Sequence, residues 1–531
     1  MTPKPDHALL AIDCGTQSVR AIVFDAAGDM LARSQVPIDA YRAPQPGHHE
    51  VDVEALWAAL VTACQTLWRE HPALKSSLRA MAVTSQRGTL VPLDASGRAL
   101  APAITWMDRR RAGRVPPLPR LWRTLFSAAR VTDVVTHLQR EAEVNWWAEN
   151  EPAMLESADK VMLLSGFLNW RLSGRCADAT AAQVGYLPFD FRRQAWCRPS
   201  DWRWKALALA PRQCPELVPA TQELGRVCVD AAHATGIPQG LMIVAAGADK
   251  ACEVLATGAL SPGVACISVG TSVSISTGTH RYVEALPFSP AFPAPAPGMY
   301  CSEIQTNFGF WMVRWFLDEF GQPEREAASR LGATPDELFD SLAASVPAGA
   351  AGLMLQPHWS PGVRHPEANA RGSVIGFGPE HGRAHLARAI LEGQAHAMRE
   401  GRDLIERATR RPIEKLIVVG AASRSDLVMQ ILTDIIGLPA ARLHTAEVAA
   451  LGAAIDAAVG SGLHADISAA ISAMTRPGQR FQPDAEVSAL YDRLHREVYR
   501  PMYKRLAPLF GSLARTLSQP VRIRGAPLKV R

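Results

Sequence analysis

Two glycine-containing turns and one strand end carry residue types that could bind phosphate. Residues 13–20, DCGTQSVR, place an aspartate at the end of an apolar strand, just before a turn of small and hydroxyl residues. Such a turn can present backbone N–H groups to phosphate oxygens. Asp13 can hold Mg²⁺ through water, and Arg20 adds positive charge. A plain hairpin turn capped by Asp13 explains the same residues, so this segment needs support from elsewhere in the chain.

A second turn of the same kind lies close to half a chain length away. Residues 264–279, VACISVGTSVSISTGT, repeat the pattern of residues 9–25, LLAIDCGTQSVRAIVFD. Each segment is an apolar strand, a Gly-Thr turn and a second β-rich run, which is typical of a hairpin. The Gly-Thr pairs are 255 residues apart in a chain of 531. The repeat predicts two similar domains that each open with a hairpin, although segments this short can also match by chance.

A third segment combines a buried strand with small residues. Residues 415–423, KLIVVGAAS, run from apolar side chains into Gly420, Ala421 and Ala422. Without bulky side chains, such a strand end lets a planar adenine ring lie against the backbone. Two phosphate-binding hairpins that face each other across a cleft are the arrangement of the actin-like ATPase fold. The sequence therefore predicts an α/β protein with two ribonuclease H-like (actin-like ATPase) domains flanking a central cleft.

The elements between these motifs agree with that fold. Asp52 is predicted to cap a helix whose apolar residues recur three and four positions apart, and further helices are predicted at 425–437 and 446–459. The turn residues of ATGALSPG (256–263) mark a boundary. We expect domains over 1–260 and 261–485, then a C-terminal helix and basic tail over 486–531. The five prolines of 286–298 predict an extended surface loop.

An ordered set of segments makes the chain resemble the FGGY family of carbohydrate kinases, which includes xylulokinase, glycerol kinase and related sugar and polyol kinases. The resemblance runs from about Leu9 to Gly462. Its landmarks are AIDCGTQSVRAIVFD (11–25), TSQRG (84–88), TWMDRR (105–110), SGFLNWRLSG (165–174), AAGADKACEVLATG (245–258), SVGTSVSIS (268–276), ANARGSVIGF (368–377), VVGAASRSDLVMQ (418–430) and EVAALGAAIDAAVG (447–460). The ordered set is far more specific than any single motif.

This resemblance implies phosphoryl transfer from ATP·Mg²⁺ to a substrate hydroxyl. Asp249 matches the family's catalytic base, which takes the hydroxyl proton while alignment and charge neutralisation carry the rest of the reaction. Asp13 and Asp249 are the implied metal-associated residues. The positions implied to face the nucleotide are Asp13, Gly15, Thr16, Gln17, Arg20, Gly270, Thr271, Gly420, Ala421, Ala422 and Ser425. The adenosine turn reads Gly-Ala-Ala where the family usually has a run of glycines, which could reduce nucleotide affinity.

The resemblance also implies an acceptor site, with less specific residues. The positions concerned are Gln86, Arg87, Trp106, Asp108, Asp249 and Lys250. Arg87 can donate hydrogen bonds to hydroxyls, and Gly88 stands where glycerol kinases have a glutamate, which counts against glycerol. A ketopentose such as xylulose is therefore the favoured acceptor, with glycerol, erythritol or an autoinducer-2-type substrate as alternatives. A remoter alternative is an actin-fold ATPase switch that has no acceptor.

Composition and charge exclude other classes. The 48% hydrophobic fraction excludes global disorder, and no apolar run is long enough to span a bilayer. Nine scattered cysteines favour reduced thiols and a cytoplasmic location. The net charge of +5 arises after Glu497, where eight basic side chains stand without an acid, so residues 1–497 carry −3. We expect a small-molecule sugar or polyol as partner, neither nucleic acid nor membrane, and leave a homodimer open.

Overall fold

The first half of the chain is built around a six-stranded sheet in which three strands run parallel. The computed structural model describes residues 7–359, 366 and 368–517. Across the sheet the strands are Glu223–Arg226, Met242–Val244, Leu78–Ser85, Ala8–Cys14, Ser18–Asp25 and Met30–Pro37. The middle three of these, from Met242–Val244 to Ala8–Cys14, are parallel, and both edges are antiparallel. The predicted hairpin supplies one of the two central strands, Ala8–Cys14, and the strand next to it, Ser18–Asp25.

A second sheet in the later half repeats this order. Across it the strands are Phe292–Pro293, Tyr300–Thr306, Val273–Thr279, Val264–Val269, Lys415–Val419, Ala440–Leu443 and Pro477–Phe481. An antiparallel meander again leads into three parallel strands, and an antiparallel strand closes the far edge. The internal repeat predicted from the two Gly-Thr turns therefore extends to the topology of both sheets.

Helices cover the outer faces of the sheets and connect the parallel strands. Asp52 caps the first of them by accepting a hydrogen bond from the backbone N–H of Glu54 at 3.0 Å, as predicted. The helices are Val53–Glu70, Arg120–Ala128, Thr132–Glu141, Glu143–Asn150, Pro152–Ser157, Leu164–Ser173, Arg203–Ala206, Val229–Thr235, Asp249–Ala256, Trp311–Phe320, Gln322–Leu331, Pro335–Ala344, Arg383–Thr409, Asp426–Ile436, Val448–Gly460, Ile467–Met474, Ala485–Leu494 and Arg500–Leu517. None of the described helices is long and apolar enough to cross a membrane.

Smaller sheets lie beside the two main ones. Five short strands form one of them, in the order Tyr41–Arg42, Glu50–Val51, Ala103–Ile104, Leu90–Leu93 and Lys160–Leu163. Three two-stranded pairs complete the strands, namely Ala177–Ala179 with Glu216–Val218, Phe189–Asp190 with Ala195–Trp196, and Met354–Gln356 with Ser373–Ile375.

A pair of helices joins the two halves. Helix Asp249–Ala256 follows the first half's last parallel strand, and helix Val448–Gly460 follows the corresponding strand of the second half. They pack together in a core cluster that also contains Leu9 from the first sheet and Ile417 from the second. A Cβ added at Gly452 would lie 2.1 Å from the carbonyl oxygen of Cys252. The close approach of the two backbones therefore requires a glycine at this position.

The proline-rich segment is only in part the surface loop that its composition predicts. Pro287 and Phe288 are exposed, but the residues from Ala291 to Ala296 are mostly buried. Phe292–Pro293 pairs with Tyr300–Thr306, and Ala294 and Ala296 are buried. A Cβ at Gly247 in the first half would lie 3.1 Å from Pro295. The buried part of the segment lies between the two halves. Its proline rings and alanine side chains are apolar, so burying them in the interface is favourable.

Candidate active site

The topology brings the predicted site residues to one edge of each sheet. Three residues lie at the carboxyl ends of the parallel strands of the first sheet. Asp13 is the next-to-last residue of its strand, and Gln86 and Asp249 come after the other two strands. Gly270 and Gly420 follow two parallel strands of the second. Because ligands of parallel α/β sheets bind beyond the carboxyl ends of the strands, these five positions define one candidate site.

Asp13 lies in a cluster of charges at the first turn. Its carboxylate accepts a hydrogen bond from Arg20 at 2.9 Å, and Arg20 also approaches Glu447 of the second half at 3.6 Å. Burial raises the pKa of Asp13 to about 7, against the lowering effect of Arg20, and the charges of Asp249 and Glu447 add to the rise. A bound cation would stabilise the ionised form of a carboxyl group whose pKa is raised in this way.

Neither the backbone conformation nor the surrounding atoms require a glycine at the two turns. Neither Gly15 nor Gly270 has a positive φ. A Cβ added at either would meet its nearest atom at 3.7 Å, which is ordinary contact. Gly15 donates to the carbonyl of Ser18 at 3.1 Å and Gly270 to that of Ser272 at 3.0 Å, so both turns are tight. Space kept free above the backbone fits a phosphate group that approaches closely.

At position 420, by contrast, the backbone conformation and a close contact require a glycine. Its φ is +96°, and a Cβ there would lie 2.6 Å from the carbonyl oxygen of Val269 in the neighbouring parallel strand. The short turn Ala421–Arg424 follows, and Ser425 then caps helix Asp426–Ile436 by accepting from Val428 N–H at 3.2 Å. The predicted adenosine edge and the second phosphate turn therefore lie side by side on adjacent strands.

Asp249 is the first residue of its helix, which places its carboxylate at the positive end of the helix dipole. The backbone N–H of Lys250 donates to this carboxylate at 2.7 Å. Burial raises the pKa of Asp249, while Lys250 and Arg87 oppose that rise. The Lys250 ammonium pairs with Glu253 at 3.2 Å and donates to the Ser268 hydroxyl on the second hairpin. Asp249 is thus coupled to the turns of both halves.

Arg87 crosses from one half to the other. Its guanidinium donates to Glu303 at 2.6 and 3.3 Å and to the side chain of Gln305, both on strand Tyr300–Thr306. It also stacks over Phe292, with Cζ 5.4 Å from the ring centre. Burial alone would lower the pKa of Arg87, and Glu303 more than offsets that effect. A small cavity beside this pair includes Lys250 in its lining.

A chain of hydrogen bonds joins the predicted nucleotide and acceptor residues. Trp106 Nε1 donates to the Thr16 hydroxyl at 3.2 Å, which donates to Gln86 Oε1 at 3.1 Å. Gln86 Nε2 donates in turn to the hydroxyl of Tyr41 at 2.9 Å. Gln17 is exposed at the tip of the turn, as is Thr271 in the second turn. Thr16 therefore links the first phosphate turn to the acceptor segments.

Asp108 is one of the implied acceptor positions, but its carboxylate already has partners within the protein. Its carboxylate is nearly buried, pairs with Arg110 at 2.7 Å and accepts from the backbone N–H of His49 at 2.6 Å. Arg110 also pairs with Glu50 at 2.8 Å. These partners occupy the carboxylate and fix the Trp106–Arg110 segment in place.

Sequence reasoning missed several residues that the structure brings to the site. They are Tyr41, Glu253, Glu303, Gln305 and Glu447. Glu447 had a usable signal, since it stands between a parallel strand and a helix as Asp249 does. Glu303 and Gln305 had none, because their partner Arg87 is more than 200 residues away in the chain.

Comparison with known proteins agrees with this geometry. Family models match the N-terminal domain of the FGGY family of carbohydrate kinases over residues 8–256 and its C-terminal domain over residues 265–461. An uncharacterized sugar kinase of Escherichia coli K12, YgcE, is 27% identical over 93% of each chain. A glycerol kinase of Dechloromonas aromatica is 29% identical over 95% of this chain and 99% of its own.

A solved structure extends the likeness to three dimensions. The crystal structure of xylulose kinase from Rhodospirillum rubrum matches with a TM-score of 0.78 and 25% identity, over 95% of this chain and all of that one. This confirms the predicted mixed α/β, two-domain fold with actin-like ATPase architecture. The chain therefore belongs to the FGGY family of carbohydrate kinases, ATP-using phosphotransferases that act on sugar hydroxyls.

Proposed function

We propose that this protein transfers the terminal phosphate of ATP·Mg²⁺ to a hydroxyl of a small, uncharged sugar or polyol, with a ketopentose such as xylulose as the favoured acceptor. The observation that carries the proposal is the position of Asp249. It begins a helix at the strand edge, and it neighbours Lys250, which contacts the second hairpin. Its charge also adds to the effect of burial, which raises the pKa of Asp13 beside the first turn. An acceptor hydroxyl beside Asp249 would lie near both phosphate turns.

In this proposal the Asp249 carboxylate accepts the hydroxyl proton as the acceptor oxygen attacks the terminal phosphate. The open turns at Gly15 and Gly270 donate backbone N–H groups to the phosphates, and the surface after Gly420 holds the adenosine. Magnesium would neutralise charge on the phosphates. Asp13 and Asp249 fit it as carboxylate partners, with phosphate and water oxygens as its other ligands. The described residues contain no group of three or more His, Cys, Asp and Glu side chains placed for a metal.

Charge supports a neutral acceptor. Two of the proposed acceptor residues are cations, and both are already paired, Arg87 with Glu303 and Lys250 with Glu253. A carboxylated acceptor such as an aldonic acid would add a negative charge beside Asp249 and these two glutamates, at a repulsive cost. Hydroxyl groups can instead accept from Arg87 and Lys250 without changing the charge balance.

An ADP-release assay over a panel of acceptors tests the proposal. The panel contains xylulose and other ketopentoses, glycerol, erythritol, autoinducer-2-type compounds and an aldonic acid, each with ATP and Mg²⁺. We expect acceptor-dependent ADP release with a neutral compound. Asp249→Asn should lower kcat by about 10²–10⁴-fold. Asp230→Asn, which changes an exposed aspartate in the first turn of another helix of the same half, is the matched control.

Two outcomes would contradict the proposal. If no sugar or polyol raises ADP release above the acceptor-free rate, the protein behaves as an actin-fold ATPase without an acceptor. If Asp249→Asn keeps full acceptor-dependent turnover, the assignment of the base is wrong.

A further inference from the structure

The C-terminal helix Arg500–Leu517 has two unlike faces. Leu506, Leu509, Leu513 and Leu517 recur three and four residues apart, so they share one face. Arg500, Lys504 and Arg515 each stand nine residues from one of these leucines, which is about two and a half helical turns. The three basic side chains therefore lie on the side opposite the leucines. The helix is amphipathic along its whole length.

The body of the protein covers only the beginning of the apolar face. Met502 is buried against Met354 and Tyr499, and Leu506 is partly buried beside them. Farther along, the exposed fractions are 62% for Leu509, 47% for Leu513 and 63% for Leu517. The same apolar face that docks in the first turns thus continues into solvent, and its last three turns have large side chains left uncovered.

The charge of this segment has one sign. The helix carries Arg500, Lys504, Arg505 and Arg515 and no acidic residue. The sequence beyond it, outside the described residues, adds Arg522, Arg524, Lys529 and Arg531, again without an acid. The rest of the chain is slightly acidic, with −3 over residues 1–497. The excess positive charge of the chain therefore belongs to the same C-terminal stretch of sequence that contains the exposed leucines.

We propose that this helix binds an anionic phospholipid surface. An exposed leucine face backed by arginine and lysine fits a helix that lies in the plane of the interface, with leucines at the acyl boundary and basic groups near the headgroup phosphates. Nucleic acid would satisfy the basic groups but leave the leucines in water. A second copy of this helix would cover the leucines but bring two segments of like charge together. Lipid headgroups satisfy both features at once.

This surface role differs from the sequence-based expectation of no membrane partner, which rested on the lack of a spanning segment. It is independent of the proposed acceptor, because the helix contributes none of the residues of the candidate active site. Binding at a surface would place the enzyme at a membrane without inserting the fold.

Vesicle co-sedimentation of the full chain tests the proposal. We expect binding to vesicles of phosphatidylcholine mixed with phosphatidylglycerol, weak binding to phosphatidylcholine alone, and loss of binding as salt rises. The double variant Leu509→Glu, Leu513→Glu should weaken binding by at least about tenfold, because both apolar side chains leave the interface. Leu331→Glu, at a leucine 70% exposed on another helix, is the matched control and should bind as the parent does.

Three results would overturn the proposal. Equal or absent binding to both kinds of vesicle would exclude recognition of anionic lipid. Binding that salt abolishes but the leucine variant retains would indicate a purely electrostatic polyanion site, as for nucleic acid. A dimer in light scattering that the leucine variant dissociates, with no vesicle binding by either protein, would identify a second copy as the occupant. Circular dichroism and kinase activity without vesicles should stay unchanged in every variant.

Discussion

The two halves share one strand order but place different side chains at equivalent positions. In the first hairpin, Asp13 stands opposite Arg20, one pair before the pair that flanks the turn. In the second hairpin, Ser268 stands opposite Ser274 at the same step. The two hairpins have the same backbone topology, but an ion pair in the first corresponds to two hydroxyl groups in the second. The charged pair at this step of the hairpin therefore belongs to the first half.

The acids that precede the paired helices differ in the same way. Asp249 is the first residue of one helix and Glu447 directly precedes the other, each after the third parallel strand of its sheet. Glu447 is held by Arg33 at 2.9 Å and lies 3.6 Å from Arg20, both from the first half. Asp249 has a weaker set of partners, since it accepts from a backbone N–H and has a raised pKa. At this repeat position Glu447 joins the two halves through its ion pairs, whereas Asp249 is the proton acceptor that we propose.

Among the changes that test the difference between the two hairpins and their halves, exchanging the residues of the hairpins gives the largest expected effect. Asp13→Ser, which makes the first turn resemble the second, should lower kcat/KM for ATP·Mg²⁺ by about 10²–10³-fold, because it removes a charge beside the phosphates. Ser268→Asp, the reverse change, should cost less, because Lys250 can pair with the new carboxylate. Steady-state kinetics over a range of Mg²⁺ concentrations measures both.

Asp25→Ser, at the far end of the first hairpin, is the control for this exchange. A larger loss for Ser268→Asp than for Asp13→Ser would mean that the two halves do not divide the chemistry as proposed.

The ion pair across the cleft gives a smaller, selective effect. Glu303→Gln should raise the KM for the acceptor by about tenfold and change kcat less, because Arg87 loses its charged partner and is no longer fixed beside the acceptor. The KM for ATP should not change. Glu284→Gln, an exposed glutamate of the same half, is the control. If only the KM for ATP changes, Arg87 is not part of the acceptor site.

Adding one methyl group between the paired helices should destabilise the protein. Gly452→Ala places a Cβ against the Cys252 carbonyl, so the helices must separate, and we expect a loss of about 1–3 kcal/mol in the free energy of unfolding. Gly382→Ala meets nothing within 4 Å and is the control. Chemical denaturation measures both. Equal stabilities would show that the junction between the halves is not closely packed in solution.

The smallest effect is a pH dependence of opposite sign in the two halves. Burial raises the pKa of Asp178 in the first half to about 7, despite hydrogen bonds from Ser165 and Gln183. The unfolded carboxyl loses its proton near its ordinary pKa, so this group contributes stability at low pH that is lost as pH rises toward about 7. Asp178→Asn should flatten that loss in thermal melting.

His495 in the second half should act in the opposite direction. Burial lowers its pKa to about 4, and the ring faces His396 with 3.2 Å between the two Nδ1 atoms. The unfolded imidazole binds its proton at higher pH than the folded one, so stability is lost as pH falls from near neutral toward about 4. His495→Phe should reduce this acid-side loss, to which the neighbouring His396 also contributes because burial lowers its pKa too, and should leave the other loss unchanged. A wild-type melting temperature that is flat on both sides would contradict the two assignments.

Local features were predictable because neighbouring residues determine them. The hairpins, the Asp52 cap and the strand before Gly420 depend on apolar patterning and on hydrogen bonds within a few residues. The repeat of Gly-Thr turns then predicted two related domains, and the motif order predicted the family. The burial of the proline-rich segment was not predictable, since composition alone does not reveal what packs against a loop.

What the sequence determined by itself is therefore the set of turns, strand ends and chemically able residues, because these follow from short-range sterics and periodicity. The tertiary structure alone decided which of them meet. Arg87 and Glu303 are 216 residues apart, and Asp108 is occupied by Arg110 and His49 rather than open to an acceptor. Such contacts depend on the order of strands in each sheet and on how the two halves pack together. The free energy that stabilises this arrangement comes from packing throughout both cores, so no single motif in the sequence reveals it.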